Sequence, residues 1–221
     1  MGEELQITET TQSEQQTSEQ SKPKLDLKLF GRWSTDIDVI DISLRPYMNL
    51  SPMHVAYSAG RNIKKQFWKS KKSIVERLFG KLMIPGHKGK KHYWTSGPAT
   101  GQINTQYRIV KKTFEIIESK TKKNPVEVFI RAIEKGSPTE GIASIEYGGV
   151  RYHKAADLSP QRRIDLALRW MTQGAFQKSR KNKRKVWEAL ADEIMLAAQG
   201  DAKSNTVAKG VELQRQAQAS R

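Results

Sequence analysis

The 221 residues include 39 Lys+Arg against 23 Asp+Glu, a formal net charge of +16, with 37% hydrophobic residues, five Trp and no Cys. Without cysteine there are no disulfides, thiolate metal sites or thiol nucleophiles, and no apolar run approaches the ~18 residues of a membrane span. So large a positive excess opposes compactness by self-repulsion and suits a polyanionic partner, nucleic acid before an anionic membrane surface. Residues 1–30 lack a basic-then-apolar signal segment and are acidic, unlike a mitochondrial presequence. The expectation is a soluble intracellular protein.

Residues 1–21 (MGEELQITETTQSEQQTSEQS) hold five Glu and neither Lys nor Arg, with only Leu5 and Ile7 of apolar bulk. They have too little surface to bury and read as a solvated, disordered tail. The remainder then sets 39 basic against 18 acidic residues, a balance of +21. Residues 22–72 read as an extended basic segment, interrupted by Pro46 and Pro52 and closing in GRNIKKQFWKSKK (60–72). There Arg61, Lys64, Lys65, Lys69, Lys71 and Lys72 surround Phe67 and Trp68. Cations interleaved with rings suit a strand threading along RNA, ammonium groups on phosphates and rings on bases. The plainer reading is a solvated linker whose Phe67 and Trp68 tuck into the core.

A helical domain is expected over 73–221. Ser73 and Glu76 form a capping box, Ile74, Leu78 and Leu82 a stripe, and the helix stops before Pro85-Gly86. The loop 86–101 is Gly-rich and basic, with Lys88, Lys90 and Lys91 as RNA ligands. His87 and His92 have no acidic residue or further His nearby, so no metal is expected, and no phosphate-binding P-loop pattern occurs. A second helix over about 102–119 places Ile103, Tyr107, Val110, Phe114 and Ile117 on one face, leaving Arg108, Lys111 and Lys112 largely elsewhere. The third opens with Asn124 as N-cap, Pro125 first and Glu127 closing a capping-box-like pair. It turns Val126, Phe129, Ile130 and Ile133 inward and ends at Gly136.

The period then changes. IASIEYGGVRYHKAA (142–156) carries Gly148-Gly149 between two short runs, the signal for a two-residue hairpin. Folding about that pair sets Tyr147 opposite Val150, Glu146 opposite Arg151, Ile145 opposite Tyr152 and Ser144 opposite His153. One face is apolar and aromatic; because a lone ribbon is marginal in water, that face needs a helix or RNA against it.

SPQRRIDLALRW (159–170) opens a fourth helix, to about 178, with Ser159 as N-cap, Pro160 first, and Ile164, Leu168 and Met171 inward. Arg162 and Arg163 stand in its first turn, where a cation costs roughly 0.3–1 kcal/mol. Arg162, Arg169, Gln173 and Arg180 form a stripe at spacings of 7, 4 and 7, with Asp165 placed to neutralise part of it. A salt-bridged solvated face is one reading. The other is an anion clamp, since one carboxylate cannot balance these arginines and the free N–H groups of a helix start attract phosphate. Lys178, Arg180, Lys181, Lys183, Arg184 and Lys185 in KSRKNKRK (178–185) add to the charge. A fifth helix carries Val186, Leu190, Ile194 and Ala197 inward and ends at Gly200; Asp192-Glu193 reads as its solvated edge. A sixth begins near Ser204, with Val207, Val211 and Gln214 on one side.

IVERL (74–78), IVKKTFEII (109–117), NPVEVFIRAIEKGSP (124–138), YGGVRYHKAADLSPQRRIDLALRW (147–170) and EALADEI (188–194) run in one order over about residues 29–221. In these motifs the chain resembles the ribosomal small-subunit protein seven family, in its archaeal and eukaryotic branch. The resemblance implies a mainly α fold of six helices with a β-hairpin arm, and a structural role with neither catalysis nor cofactor. It implies a cytoplasmic monomer within the ribosome that binds small-subunit rRNA in the 3′ major domain and nucleates head assembly. The neighbours so implied are exit-site tRNA, the messenger exit channel, and the small-subunit proteins numbered nine and eleven. The arm Glu146–Lys154, with Tyr147, Gly148, Gly149, Val150, Arg151 and Tyr152, is implied to point toward the tRNA and messenger. Arg162, Arg163, Arg169 and the basic segment before the first helix are implied to hold rRNA, and Arg151 and Lys154 join that set. Residues 1–21 have no equivalent in the compact family core, and the loop 86–101 is longer than usual.

Two other readings share the charge. A helix-rich sequence-specific DNA-binding regulator lacks a symmetric dimer seam or ligand domain. An RNA-acting enzyme lacks a nucleophile motif and an Asp/Glu cluster with metal-ligand spacing.

Overall fold

The computed structural model describes residues 27–88, 91, 92, 101–180 and 182–221. The acidic tail 1–21, Lys90, Lys181 and most of the loop 86–101 lie outside them. Six α-helices span about half of the described chain: α1 (Ile74–Leu82), α2 (Ile103–Thr121), α3 (Pro125–Gly136), α4 (Pro160–Ser179), α5 (Val186–Gln199) and α6 (Asn205–Gln218). A short ribbon, β1 (His87–Lys88) with β2 (Lys91–His92), follows α1, and the hairpin β3 (Glu140–Tyr147) with β4 (Val150–Asp157) stands between α3 and α4.

α5 occupies the centre, packed against α2, α3, α4 and α6. Its buried face mixes Leu190 and Ile194 with Ala189, Ala191 and Ala197, all fully buried. Alanine removes side-chain bulk without loss of helix propensity, so several neighbours can approach one helix. The apolar stripes of α2 and α3 close over it: Val110, Phe114, Ile117, Val126, Phe129, Ile130 and Ile133 are fully buried.

The helix ends differ in part from the sequence pattern. Asn124 caps α3 as expected, accepting from the Val126 N–H at 3.0 Å. Ser73 makes no side-chain cap; Glu76 turns inward instead and accepts from the Ser58 hydroxyl at 2.7 Å. Gly200 ends α5 in the left-handed region (φ +82°), a conformation open to glycine. Gly136 is required for a different reason. A Cβ there would come within 2.5 Å of Thr206 Cγ2, so the missing side chain admits α6 against α3. The buried face of α6 is Thr206, Val207, Gly210 and Ala217, while Val211 is 49% exposed. The apolar spacing pointed to Val211, but the close crossing selects the small residues.

Residues 27–72 are wrapped on the helices. Leu29, Phe30, Trp33, Val39, Leu44, Met48 and Ala56 enter the same core. Phe30 and Trp33 meet Phe114 edge-on at 6.2 and 5.6 Å. The segment has no sheet partner for most of its backbone, and side chains serve instead: Glu134 Oε1 accepts from the N–H groups of Ile40 (2.7 Å) and Asp41 (3.2 Å).

Hairpin register follows the predicted pairs, Tyr147 with Val150 through Ser144 with His153. Gly148 (φ +59°) and Gly149 (φ +80°) both take the left-handed conformation that a tight two-residue turn demands. The base leans on α6, where the Ala155 N–H donates to the Ser220 carbonyl (3.3 Å) and Gln214 to Thr139 Oγ1 (3.2 Å). Toward the tip, Ile145, Tyr147, Val150 and Tyr152 are all at least half exposed.

Glu193 is the strongest departure from the sequence reading. Its side chain is fully buried, and its carboxylate accepts from Lys178 (2.6 Å), the Ser204 hydroxyl (2.7 Å) and the Thr206 N–H (3.1 Å). It sits at the N-terminal end of α6, where the free N–H groups favour an anion. One carboxylate thereby joins α4, α5 and α6. Gly174 makes room for it: a Cβ there would stand 2.7 Å from Asn205 Cβ and 3.2 Å from Glu193 Cδ. Glu193→Ala is therefore expected to lower unfolding stability by about 2–4 kcal/mol, because it leaves the buried Ser204 hydroxyl and Thr206 N–H without their acceptor. Gly174→Ala is expected to cost about 1–3 kcal/mol by overpacking. Urea titrations of the two variants against the parent measure both; midpoints within error of the parent would contradict the assignment.

Candidate nucleic-acid interface

Three groups of cations reach the surface. The first lies in residues 60–72. Phe67 adopts a positive φ (65°) that starts the 3₁₀ turn Trp68–Lys71 and leaves its ring 64% exposed. Trp68 is half-buried, with the Lys71 and Lys65 ammonium groups 4.5 and 5.4 Å from its ring centroid. The two rings therefore do not tuck together into the core. Arg61, Lys64, Lys65 and Lys71 are exposed, and Lys72 is half-buried, 3.9 Å from Glu76.

Arg162 and Arg163, adjacent in sequence, point apart because a helix turns about 100° per residue. Arg162 is exposed. Arg163 is 8% exposed, and its guanidinium donates to the Pro138 carbonyl (3.1 Å), Ser43 Oγ (2.6 Å), Asp41 Oδ2 (2.8 Å) and Ser137 Oγ (3.3 Å). It is an internal clasp between the N-terminal wrap and the turn after α3, so the expected joint anion clamp of Arg162 and Arg163 does not form, and of the two only Arg162 faces solvent. Burial pushes the Asp41 carboxyl up, but hydrogen bonds from Ser43 and Arg163 hold it below the usual carboxylate range.

Asp165 does not neutralise the arginine stripe either. It accepts from Lys69 and from Arg77 (3.2 Å), with Lys81 at 3.9 Å, and so joins the wrap, α1 and α4. Arg77 is 5% exposed and also donates to the Tyr47 carbonyl at 3.1 Å. Burial raises the Asp165 carboxyl, but Lys69, Lys81 and Arg77 together bring it below its ordinary value. Lys81 is pushed down by burial and by Arg169, Lys69 and Arg77, with Asp165 opposing. Beside this cluster a cavity of about 230 Å³ opens between α1 and α4, lined by Gly80, Lys81, Ile84, Arg169, Thr172 and Gln173. Exposed Arg169 thus stands at a basic groove. Sequence reasoning missed Arg77 and Lys81. They share one side of α1 at i and i+4, off the apolar stripe, but nothing local identifies Asp165 as their partner.

The third group spans α2 and the start of α5. Arg108, Lys111 and Lys112 are exposed, and Lys112 and Lys185 approach the Trp187 ring at 4.5 and 5.9 Å. Lys183, Arg184 and Lys185 are exposed, with Arg184 paired to Asp192, which also takes Lys120 at 2.9 Å. Lys178 belongs to the Glu193 junction instead of this surface, a further correction. Arg180 is half-buried at the end of α4. Lys88 and Lys91 pair across the short ribbon. On the arm, Arg151 lies 3.5 Å from Glu146 and Lys154 is exposed.

Among the described residues no three His, Asp or Glu side chains converge as a metal site. No described helix is long and apolar enough to cross a membrane.

Two comparisons bear on this arrangement. The family model described as ribosomal protein S7p/S5e matches residues 55–221. A protein of Nanoarchaeum equitans (strain Kin4-M), named small ribosomal subunit protein uS7, is 50% identical over 196 residues, 88% of this chain and 99% of that relative.

The two arginines of the first turn separate by experiment. Arg163→Ala should lower unfolding stability by about 2–4 kcal/mol, because Asp41 loses its partner in a half-buried site. Arg162→Ala should stay within about 0.5 kcal/mol of the parent. Equal effects in thermal melts would contradict the division of roles. Asp41 and Asp165 also set an acid dependence. Each binds fewer protons folded than unfolded, so its contribution is complete above the ordinary carboxylate value of about 3.9 and is lost as pH falls through the lower folded value. Asp165→Asn should be less stable at neutral pH and decline less steeply between about pH 4 and about pH 2. A parallel decline in parent and variant would refute the cause.

Proposed function

Because the chain belongs to the ribosomal protein S7p/S5e family, structural and non-enzymatic proteins of the small ribosomal subunit, we propose that it binds small-subunit rRNA of the 3′ major domain and nucleates assembly of the head. In that place it lies near exit-site tRNA, the messenger exit channel and the small-subunit proteins numbered nine and eleven, as a cytoplasmic monomer within the ribosome. The observation that carries the reading is the basic, aromatic-bearing surface of residues 60–72 continuing to the α1–α4 groove, with Phe67 exposed and Trp68 flanked by lysines. Lysines and arginines hold phosphates and rings accept unstacked bases, which is how irregular RNA is recognised.

The RNA-holding set on this reading is Arg61, Lys64, Lys65, Lys71, Lys72, Lys81, Arg162 and Arg169, with Arg108, Lys111, Lys112, Lys183, Arg184 and Lys185 on the second face. Lys69 contributes from the edge of the Asp165 cluster. The free arm with Tyr147, Gly148, Gly149, Val150, Arg151 and Tyr152 reaches toward tRNA and messenger, its apolar face still open for a partner.

With about 6–10 phosphates contacted, affinity should fall roughly 10³–10⁵-fold between 50 and 200 mM salt. At about 0.2 M salt, labelled head-junction RNA should resist excess unrelated structured RNA and duplex DNA; equal competition by all three would refute specific recognition. Arg162→Ala and Arg169→Ala should each reduce the salt slope by about one. Deleting 146–151 should leave rRNA binding largely intact and disturb tRNA or messenger handling. Complete loss of rRNA binding would overturn the assignment of the arm.

A further inference from the structure

We infer that, in the absence of RNA, the acidic residues 1–21 dock on the basic face shared by α2 and the start of α5, and that RNA displaces them. The inference rests on the RNA-binding reading above. It begins with where the chain joins the fold. Leu29 is fully buried, the Phe30 ring lies 4.7 Å from that of Tyr107, and Arg32 pairs with Glu118 at 2.8 Å. Tyr107 and Glu118 both belong to α2, so residues 29–32 lie against this helix, and residues 1–21 are tethered close to it. Lys111 follows Tyr107 by one turn, with Arg108 and Lys112 further round.

On that face cations exceed anions: Arg108, Lys111, Lys112, Lys183, Arg184 and Lys185 stand against Glu115, Glu188 and Asp192. Among the described residues Arg108 and Lys111 have no carboxylate partner, Lys112 and Lys185 rest on the Trp187 ring, and Arg184 shares Asp192 with Lys120. Glu115 on α2 forms no ion pair among the described residues, and Glu188 serves the Lys185 backbone N–H at 3.3 Å. The tail supplies what is missing: Glu3, Glu4, Glu9, Glu14 and Glu19, with no Lys or Arg among them. Reach is no obstacle, since even the five residues 22–26 span up to about 17 Å and the stretch Tyr107–Lys112 covers only about 8 Å of helix.

Tethering holds the tail at a local concentration on the order of millimolar. Each exposed ion pair is weak and screened by salt, so docking is reversible. An RNA that offers many phosphates in the right shape displaces the tail, whereas one making few contacts competes poorly. The tail thus filters out non-specific RNA before assembly.

The absence of cysteine makes the test direct. A nitroxide on Ser13→Cys in the isotopically labelled full-length chain should broaden the amides of 108–112 and 183–188 at 50 mM salt. The broadening should vanish at about 0.5 M salt and on Glu→Gln substitution at positions 3, 4, 9, 14 and 19. Uniform or absent broadening overturns the inference. So does broadening in a mixture of labelled chain with spin-labelled unlabelled chain, which would assign the tail to a second copy. The same five-fold Glu→Gln chain should bind unrelated RNA about 3–10-fold more tightly at 50 mM salt, with a smaller change for head-junction RNA. Unchanged affinity for unrelated RNA refutes the filter while head-RNA specificity stands. Loss of discrimination by both chains refutes the RNA-binding reading itself.

Discussion

Arg163 and the carboxylate of Asp41 illustrate the constraint on which the whole structure depends. In a chain with 39 basic and 23 acidic residues, carboxylates are scarce partners, and the fold sets them at its junctions. Asp41 meets Arg163 where the N-terminal wrap crosses the turn after α3. Asp165 meets Lys69, Arg77 and Lys81 where the wrap, α1 and α4 converge. Glu193 meets Lys178 and the start of α6. Each is at least half-buried, so the charges interact in a medium of lower effective dielectric than water, and Asp41 and Glu193 accept further hydrogen bonds from Ser43 and from Ser204 and Thr206.

A consequence follows for the surface. With these carboxylates turned inward, outer cations such as Arg162, Arg169, Arg108 and Lys111 form no ion pair among the described residues. The same allocation that clasps the elements together leaves the exterior electropositive, the condition for counterion-driven association with RNA. Stability and surface charge share one distribution, with inner and outer cations such as Arg163 and Arg162 distinguished by a rotation of about 100° along a helix.

Much of the fold was legible because it rests on local rules. The apolar periods of α2 and α3, the Asn124 cap, the left-handed Gly200 and the Gly148-Gly149 turn with its register all depend on residues within a few positions of one another. The misreadings share one cause. Ser73-Glu76 matched a capping box, but Ser58, far along the chain, takes the Glu76 carboxylate. Val211 fitted the helical period, yet α6 crosses α3 so closely that Gly210 and Thr206 form the contact. Glu193 looked like a solvated edge because its partners, Lys178 and residues 204–206, lie on other helices.

The sequence by itself determined the order of the six helices and the hairpin, the hairpin register and the strongly basic character, since periodicity, turn chemistry and net charge need no knowledge of distant residues. Its motifs also carried the family resemblance. Tertiary structure alone decided which cations face outward. Arg162 and Arg163 are the same residue type in the same helical turn. Only the arrival of Asp41, Ser43 and Pro138 from elsewhere in the chain makes one an internal clasp and leaves the other exposed.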